Sequence, residues 1–378
     1  MTPPRQNKRI GTQTVGPNYH FTDENPLVET ARGMLNLGSD ILKISLSPPS
    51  YGIATDRAMS LVEIASGIPE FRTVLDLPFR TILCWAQPRT GRQGRIFDAA
   101  DTAEWEEAVY RQMYDLAAWL LRTYTGTGKT FLLGNWEGDW ILLGGYDYRL
   151  EPETRVLASM IRYFEIRQAA VEAARQDVEH ADVWVGHYIE LNRPLDAKDL
   201  GKSRLANAIL PVVNVDLVSY SAYDALKPDR IPEALDYIEQ QARFTPYFEG
   251  HYEKKVFIGE YDAYEDYHVN GYADPQRQVE NTLRVIRAAL EWGAPLVLFW
   301  EFYNNESERL IHGGGFWLID DHNRKQPVWY LHRELLADVE RWQETTLRET
   351  GDYPDDAGWR IFIRNWVPSD ESLSIPST

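Results

Sequence analysis

The chain is short of cysteine, of basic residues and of long apolar runs. One cysteine, Cys84, stands among 378 residues. It cannot form an internal disulfide, and its setting in "RTILCWA" marks it as a small core residue. No stretch of about 18 apolar residues occurs, so no spanning helix is expected. Lys and Arg number 39 against 57 Asp and Glu, a net charge of -18. Nucleic acid and anionic membrane surfaces require clustered Lys and Arg, so neither is an expected partner. A neutral ligand suits the charge balance. The start, "MTPPRQNKRIGTQTVG", has basic residues but no apolar segment, so no signal peptide is expected. A secreted chain whose signal had been removed would look the same, and the compartment stays open.

Several chemical signatures are missing too. No Gly-x-Gly-x-x-Gly follows the first strand candidate, so a dinucleotide fold lacks its fingerprint. The eight His show neither His-x-His nor His-x-x-x-His spacing, and no metal site is expected. No Ser sits in a Gly-x-Ser-x-Gly elbow, which weighs against an α/β-hydrolase.

What is present is alternation. Apolar runs fall at 9–15, 40–48, 79–88, 130–137, 182–190, 215–224, 255–263 and 295–305. Most are rich in β-branched or aromatic residues and bounded by turn formers, the pattern of strands. Helical periodicity fills the gaps. Residues 101–124 open with Asp101 and Glu104 at capping-box spacing and place Trp105, Val109, Met113, Leu116 and Leu120 on one face. Residues 274–293 open with Asp274 as N-cap and Pro275 at the first helical position, and stop at Gly293. Residues 229–244 and 326–342 read as helices in the same way. Eight alternating units without a repeat, low-complexity tract or linker predict a single-domain (β/α)8 TIM barrel over residues 1–350. The tail, 351–378, is expected to pack on the barrel or fray.

Such barrels carry their chemistry at the C-terminal ends of the strands. Those ends hold Lys43 on the second run; Trp85 and Gln87 on the third; Asn135, Trp136, Glu137, Asp139 and Trp140 on the fourth; and His187, Tyr188 and Glu190 on the fifth. Ser221, Tyr223 and Asp224 follow on the sixth, Glu260, Tyr261 and Asp262 on the seventh, and Trp300, Glu301, Tyr303 and Asn304 on the eighth. Carboxylates, amides and rings gather at one rim. Rings around a carboxylic acid exclude water and raise its pKa, so that it can donate a proton near neutral pH. A second, better hydrogen-bonded carboxylate stays ionised. Two such groups are what glycosidic bond cleavage needs, and the faces of aromatic rings suit sugar rings. Aromatic residues make up 12% of the chain, with 13 Trp and 21 Tyr.

The order of these segments resembles the clan A glycoside hydrolases, the large retaining (β/α)8 group. "GNWEGDW" is similar to that clan's fourth-strand segment with Asn and the acid/base Glu. "DLVSYSAYD" resembles the sixth-strand segment, and "VFIGEYDA" the seventh-strand segment that carries the nucleophile. "VLFWEFYNN" resembles the eighth-strand segment with its Trp, and "GGGFWLIDDHNRKQPVWYLHRELL" the closing stretch. The likeness covers roughly residues 9–345. It implies Glu137 as general acid/base, Glu260 as nucleophile, and Asn135 as ligand of the sugar 2-hydroxyl. It also implies Tyr223 as a hydrogen-bond partner of Glu260, Trp300 as the floor of the −1 subsite, and Lys43 in the position of a second-strand Arg. Three departures stand out. Trp136 separates Asn135 from Glu137, Ser221 replaces a common His, and Lys43 lacks the bidentate geometry of Arg.

Trp85, Trp136, Trp140, His187 and Tyr261 complete the expected substrate-binding set. Asp139 and Asp262 read as capping or orienting groups. Glu190 and Glu301 are the rival carboxylates if the strand ends are displaced. The expected activity is retaining hydrolysis of a β-type glycosidic bond in an oligo- or polysaccharide, without cofactor or metal. The alternatives are a non-catalytic carbohydrate-binding barrel and a transglycosylase using the same residues. Sugar, linkage and oligomeric state leave no signature in the sequence.

Overall fold

The computed structural model describes residues 7–55, 58–88, 102–225, 229–262, 275–306 and 316–369. Eight parallel strands close into a barrel: β1 (Ile10–Thr14), β2 (Ile41–Ser45), β3 (Thr81–Trp85), β4 (Lys129–Gly134), β5 (Val183–Leu191), β6 (Leu217–Ser221), β7 (Val256–Tyr261) and β8 (Val297–Phe299). Each pairs with its neighbours in chain order, and β1 pairs with β8. The (β/α)8 architecture expected from the alternation is therefore the one observed. Two further short strands, Asn214–Val215 and Arg243–Phe244, form a separate parallel pair.

Both faces of every barrel strand are buried, and they belong to different cores. Inside the barrel lie Ile41, Leu83, Trp85, Leu132, Trp184, Tyr188, Leu217, Phe257, Leu298 and Trp300. The alternate residues, such as Leu42, Ile44, Cys84, Phe131, Leu133, Val185, Ile189 and Val218, pack outward into the larger core shared with the helices. Period-2 alternation thus assigns each side chain to the lumen or to the helix layer.

The helices follow their sequence signals with small displacements. Helix Ala103–Thr123 is capped by Thr102, whose side chain accepts from the Trp105 amide, and it buries Trp105, Val109, Met113, Leu116 and Leu120. Asp101 and Asp274, the caps expected from sequence, lie outside the described residues, as do Gly313, Gly314 and Gly315 of the closing stretch. Helix Pro275–Trp292 ends at Gly293, whose φ of +106° lies in the left-handed region that favours glycine. The chain continues past Gly351 into a helix, Asp356–Asn365. There Trp359 is buried beside Trp342 and beneath the Arg9 guanidinium, which also bonds Asp356. Among the described residues no helix is long and apolar enough to cross a membrane.

Two glycines make the lumen possible. A Cβ on Gly134 would fall 2.1 Å from the Tyr188 ring, and one on Gly259 would fall 1.8 Å from Ser219 Oγ and 3.0 Å from Glu190 Oε2. Gly259→Ala is therefore expected to destabilise the fold by roughly 3 kcal/mol, the cost of overpacking an interior that cannot yield. Pairing it with Ser219→Gly should recover part of the loss. Chemical denaturation of the two variants checks this.

Candidate active site

The upper layer of the lumen is polar. Lys43 lies inward on β2 because its parity matches Ile41, and it is fully buried. Its ammonium donates to Glu190 Oε2 at 2.7 Å, to Glu260 Oε1 at 3.0 Å and to the Gly259 carbonyl at 3.1 Å. An ammonium has three N–H groups, and all three are matched inside the barrel. Glu190, on β5, is also fully buried. Besides Lys43, its Oε2 accepts from Ser219 Oγ at 2.8 Å, while Oε1 accepts from Trp85 Nε1 and from the Glu137 backbone amide, both at 3.2 Å.

Glu137 follows β4 and Glu260 lies near the end of β7; both are buried. Their environments differ. Burial drives the Glu137 carboxyl well above the usual carboxylate range, and the neighbouring charges of Glu260 and Glu190 push it further than Lys43 pulls it back. Burial also raises Glu260, to about 8, but Lys43 opposes the shift through both its charge and a direct hydrogen bond. One cation meets three carboxylates here. Negative charge is in excess here, and contact with Lys43 favours the ionised form of Glu260 over that of Glu137. Lys43 itself is raised, since the two carboxylates outweigh the desolvation of its charge.

Aromatic rings border this cluster. Trp85 and Trp300 approach with centroids 5.9 Å apart at 32°, and the Lys43 ammonium lies 4.6 Å from the Trp85 ring. The Trp300–Glu301 peptide is cis. The Tyr223 hydroxyl is enclosed near Glu260 and Glu137, whose charges add to burial in raising it, while the ring edge reaches the surface. Tyr223 also meets Phe316 edge-on at 6.3 Å. Ser221 sits opposite Glu260 in the register of β6 and β7. Trp136 is half-buried against the lumen rings, and Trp136 and Trp140 both meet Tyr146, itself 71% exposed, at 6.3 and 5.7 Å.

Four of the expected ligand contacts are corrected. Asn135 does not present a free amide. Its Nδ2 donates to the carbonyls of Glu190 and Trp136, and its Oδ1 accepts from the Glu190 amide, all at 3.0 Å. It fastens the end of β4 to β5. His187 has the opposite parity to Tyr188 and Glu190 and points into the helix layer, where Arg167 Nε donates to its Nε2 at 3.1 Å and Gln168 Oε1 meets its Nδ1 at 3.1 Å. Tyr261 likewise packs outward, edge-on to Phe299 at 5.6 Å. Lys43 is enclosed as well, so it meets Glu260 and not a ligand.

The two rival carboxylates differ: Glu190 is saturated, whereas the buried Oε1 of Glu301 meets no hydrogen-bond partner and burial raises that carboxyl well above the usual range. Both oxygens of Glu190 are occupied by donors from the protein. Glu301 is buried with Oε2 accepting from the Val15 amide at 3.0 Å. Asp139 orients loops, accepting from the amides of Asn192, Arg193 and Leu205, and Asp262 accepts from Gln278 Nε2 at 3.2 Å. Among the described residues Asp320, Asp321 and His322 bring three metal-capable side chains within 4.8 Å. Asp320 is already bonded to Arg324 and to the His322 amide, which makes the group a turn. Glu190 as the hub of the layer is what sequence reasoning missed. Its even spacing from Trp184, Gly186 and Tyr188 was the signal.

No family model matches the chain, and no curated protein matches it in sequence. Solved structures similar in fold include xylanase 10B from Thermotoga maritima, 14% identical, covering 88% of this chain and 96% of that one with a TM-score of 0.48. A Bacteroides uniformis beta-glucuronidase is 11% identical, with 87% of this chain covered and a TM-score of 0.48; this chain spans 35% of its length. A family 39 glycoside hydrolase from Bacteroides cellulosilyticus is 11% identical over 88% of this chain and 64% of its own, with a TM-score of 0.47.

Proposed function

We propose that this barrel hydrolyses a β-type glycosidic bond in an oligo- or polysaccharide with retention of configuration. The observation that carries the reading is the asymmetry between two buried glutamates that feel one another's charge. Glu260 is paired with a cation, and Glu137 is desolvated without one in contact. A glycosidase of this type needs one carboxylate to attack and one carboxylic acid to protonate.

The steps follow from those states. A Glu260 oxygen forms a bond to the anomeric carbon as the bond to the leaving oxygen breaks. The Glu137 proton passes to that oxygen, and the leaving group departs as a neutral alcohol. Glu137, now a carboxylate, takes a proton from water. The water oxygen attacks the anomeric carbon, and the bond to Glu260 breaks, so both glutamates return to their starting states. Lys43 keeps negative charge on Glu260 in the ground state and receives it back at the end. Trp300 and Trp85 supply ring faces to the sugar, and Tyr223, whose hydroxyl feels the charge of both carboxylates, orients the substrate.

Screening aryl β-glycosides and β-linked oligosaccharides tests the reaction, with proton NMR of the first-formed anomer reporting its stereochemistry. A retained product is expected, and an inverted one would rule the mechanism out. Glu260→Gln should abolish turnover. Glu137→Gln should lower turnover of oligosaccharides by about 10²–10⁴-fold. Sugar binding with no cleavage by the unmutated protein would instead identify a non-catalytic carbohydrate-binding barrel.

The same glutamate has a consequence for stability. A carboxyl whose folded pKa is raised stabilises fully below its unfolded value, and that contribution is lost as pH rises through the folded value. Glu137→Gln removes this penalty. The variant should be more stable than the parent at pH 7.5, by about 1–2 kcal/mol, and the gain should fade toward pH 4. Thermal melts at the two pH values measure the difference.

A further inference from the structure

The carboxylate at the centre of the polar layer takes no part in the steps above, yet it contacts the supports of both glutamates that do. Glu190 Oε2 holds Lys43 Nζ at 2.7 Å, and the same ammonium reaches Glu260 Oε1 at 3.0 Å. Glu190 Oε1 accepts from the backbone amide of Glu137 at 3.2 Å. Its own backbone is clamped by the Asn135 amide on both sides, at 3.0 Å each. Ser219 and Trp85 fill the remaining acceptor directions. The room for this side chain exists because Gly259 has no Cβ, and the Gly259 carbonyl takes the third Lys43 proton. Side chains from β2, β3 and β6 and backbone from the segment after β4 therefore converge on one carboxylate.

We propose that Glu190 is a positioning residue: one of its oxygens fixes Lys43 against Glu260 while the other fixes the backbone of Glu137, so that a single group sets the charge on the nucleophile and the placement of the acid. The inference rests on the assignment of Glu137 and Glu260 under the proposed function. A carboxylate serves where an amide would not, because every partner is a donor. A glutamine in its place must turn its NH2 toward either Lys43 and Ser219 or Trp85 and the Glu137 amide. The negative charge also matters for the acid it neighbours. With Glu190 neutral, Lys43 is left wholly to Glu260, and one like charge beside Glu137 disappears.

The test compares Glu190→Gln, Glu190→Asp and Ser219→Ala in the full chain. On the best aryl β-glycoside or β-linked oligosaccharide of the panel, Glu190→Gln should lose about 100-fold in kcat, the scale of a misplaced catalytic group. The basic limb of its pH profile should move to lower pH. Glu190→Asp keeps the charge on a shorter arm, so kcat should fall while the basic limb holds. Ser219→Ala should leave the limb in place. A Glu190→Gln enzyme with unchanged limb, or a Glu190→Asp enzyme with parental kcat, overturns the proposal. If Glu190→Gln does not fold, the Glu190→Asp result decides. Carboxyl-13C NMR of glutamate-labelled protein, with Glu137→Gln assigning the resonance, reads the same charge without any substrate. The Glu137 signal should titrate at lower pH in Glu190→Gln than in the parent, and equal titration overturns the proposal. Failure of the proposed function is separately visible, as activity that survives Glu260→Gln and Glu137→Gln.

Discussion

A single ammonium, buried without access to water, sits against two carboxylates near the top of the barrel, and much of the molecule is arranged around it. Removing ions from water costs several kcal/mol each, and mutual attraction offsets this only when the remaining protons and lone pairs are matched. Here they are. Lys43 has three acceptors, and Glu190 has four donors. The charges still do not cancel once Glu137 is counted. A fold selected for stability alone would not keep a third carboxyl beside that cluster. Its presence is the pattern of a site in which stability is given up for chemistry.

The barrel makes this arrangement possible by supplying a layer rather than a pocket edge. Lys43, Trp85, Glu190 and Ser219 come from four different strands, and their Cα positions are fixed by ladder hydrogen bonds; Trp300 directly follows β8. Close approach across so narrow a lumen requires that some positions carry no side chain. Gly134 yields its place to Tyr188, and Gly259 to Ser219 and Glu190. The glycines and the charged residues are thus one design seen from two sides.

The architecture could be read from the sequence because eight apolar runs alternate with amphipathic helices, and each type of run has its own period. Glu137, Glu260 and Lys43 stood out because a charge next to or inside a buried run has few other uses. What the sequence hides is parity. In a strand buried on both faces, "VWVGHYIEL" has no polar side to reveal which residues look inward. A one-residue difference separates His187, turned to Arg167 and Gln168, from Tyr188 in the lumen. Tyr261 shares the parity of Phe257 in the lumen, and a register irregularity near the end of β7 turns it to the helices instead. Asn135 was misread for another reason. Its partner, the backbone of Glu190, lies 55 residues away in the chain, and no local pattern announces such a clamp.

The saturation of the lower groups defines what is left for a ligand. Lys43 has no N–H to offer, Glu190 no free lone-pair direction, and Asn135 no free N–H. The Trp85 indole N–H is turned to Glu190, and that of Trp300 to Glu306. Neither indole N–H is therefore left to meet a ligand. On the proposed reading the sugar lies on ring faces, and its polar recognition at the reacting carbon falls to Glu137, to the second oxygen of Glu260 and to Tyr223. Such a division suits a neutral saccharide. A carboxylated sugar would bring another negative charge to a layer already one cation short, and would have to carry its own proton or cation into the site.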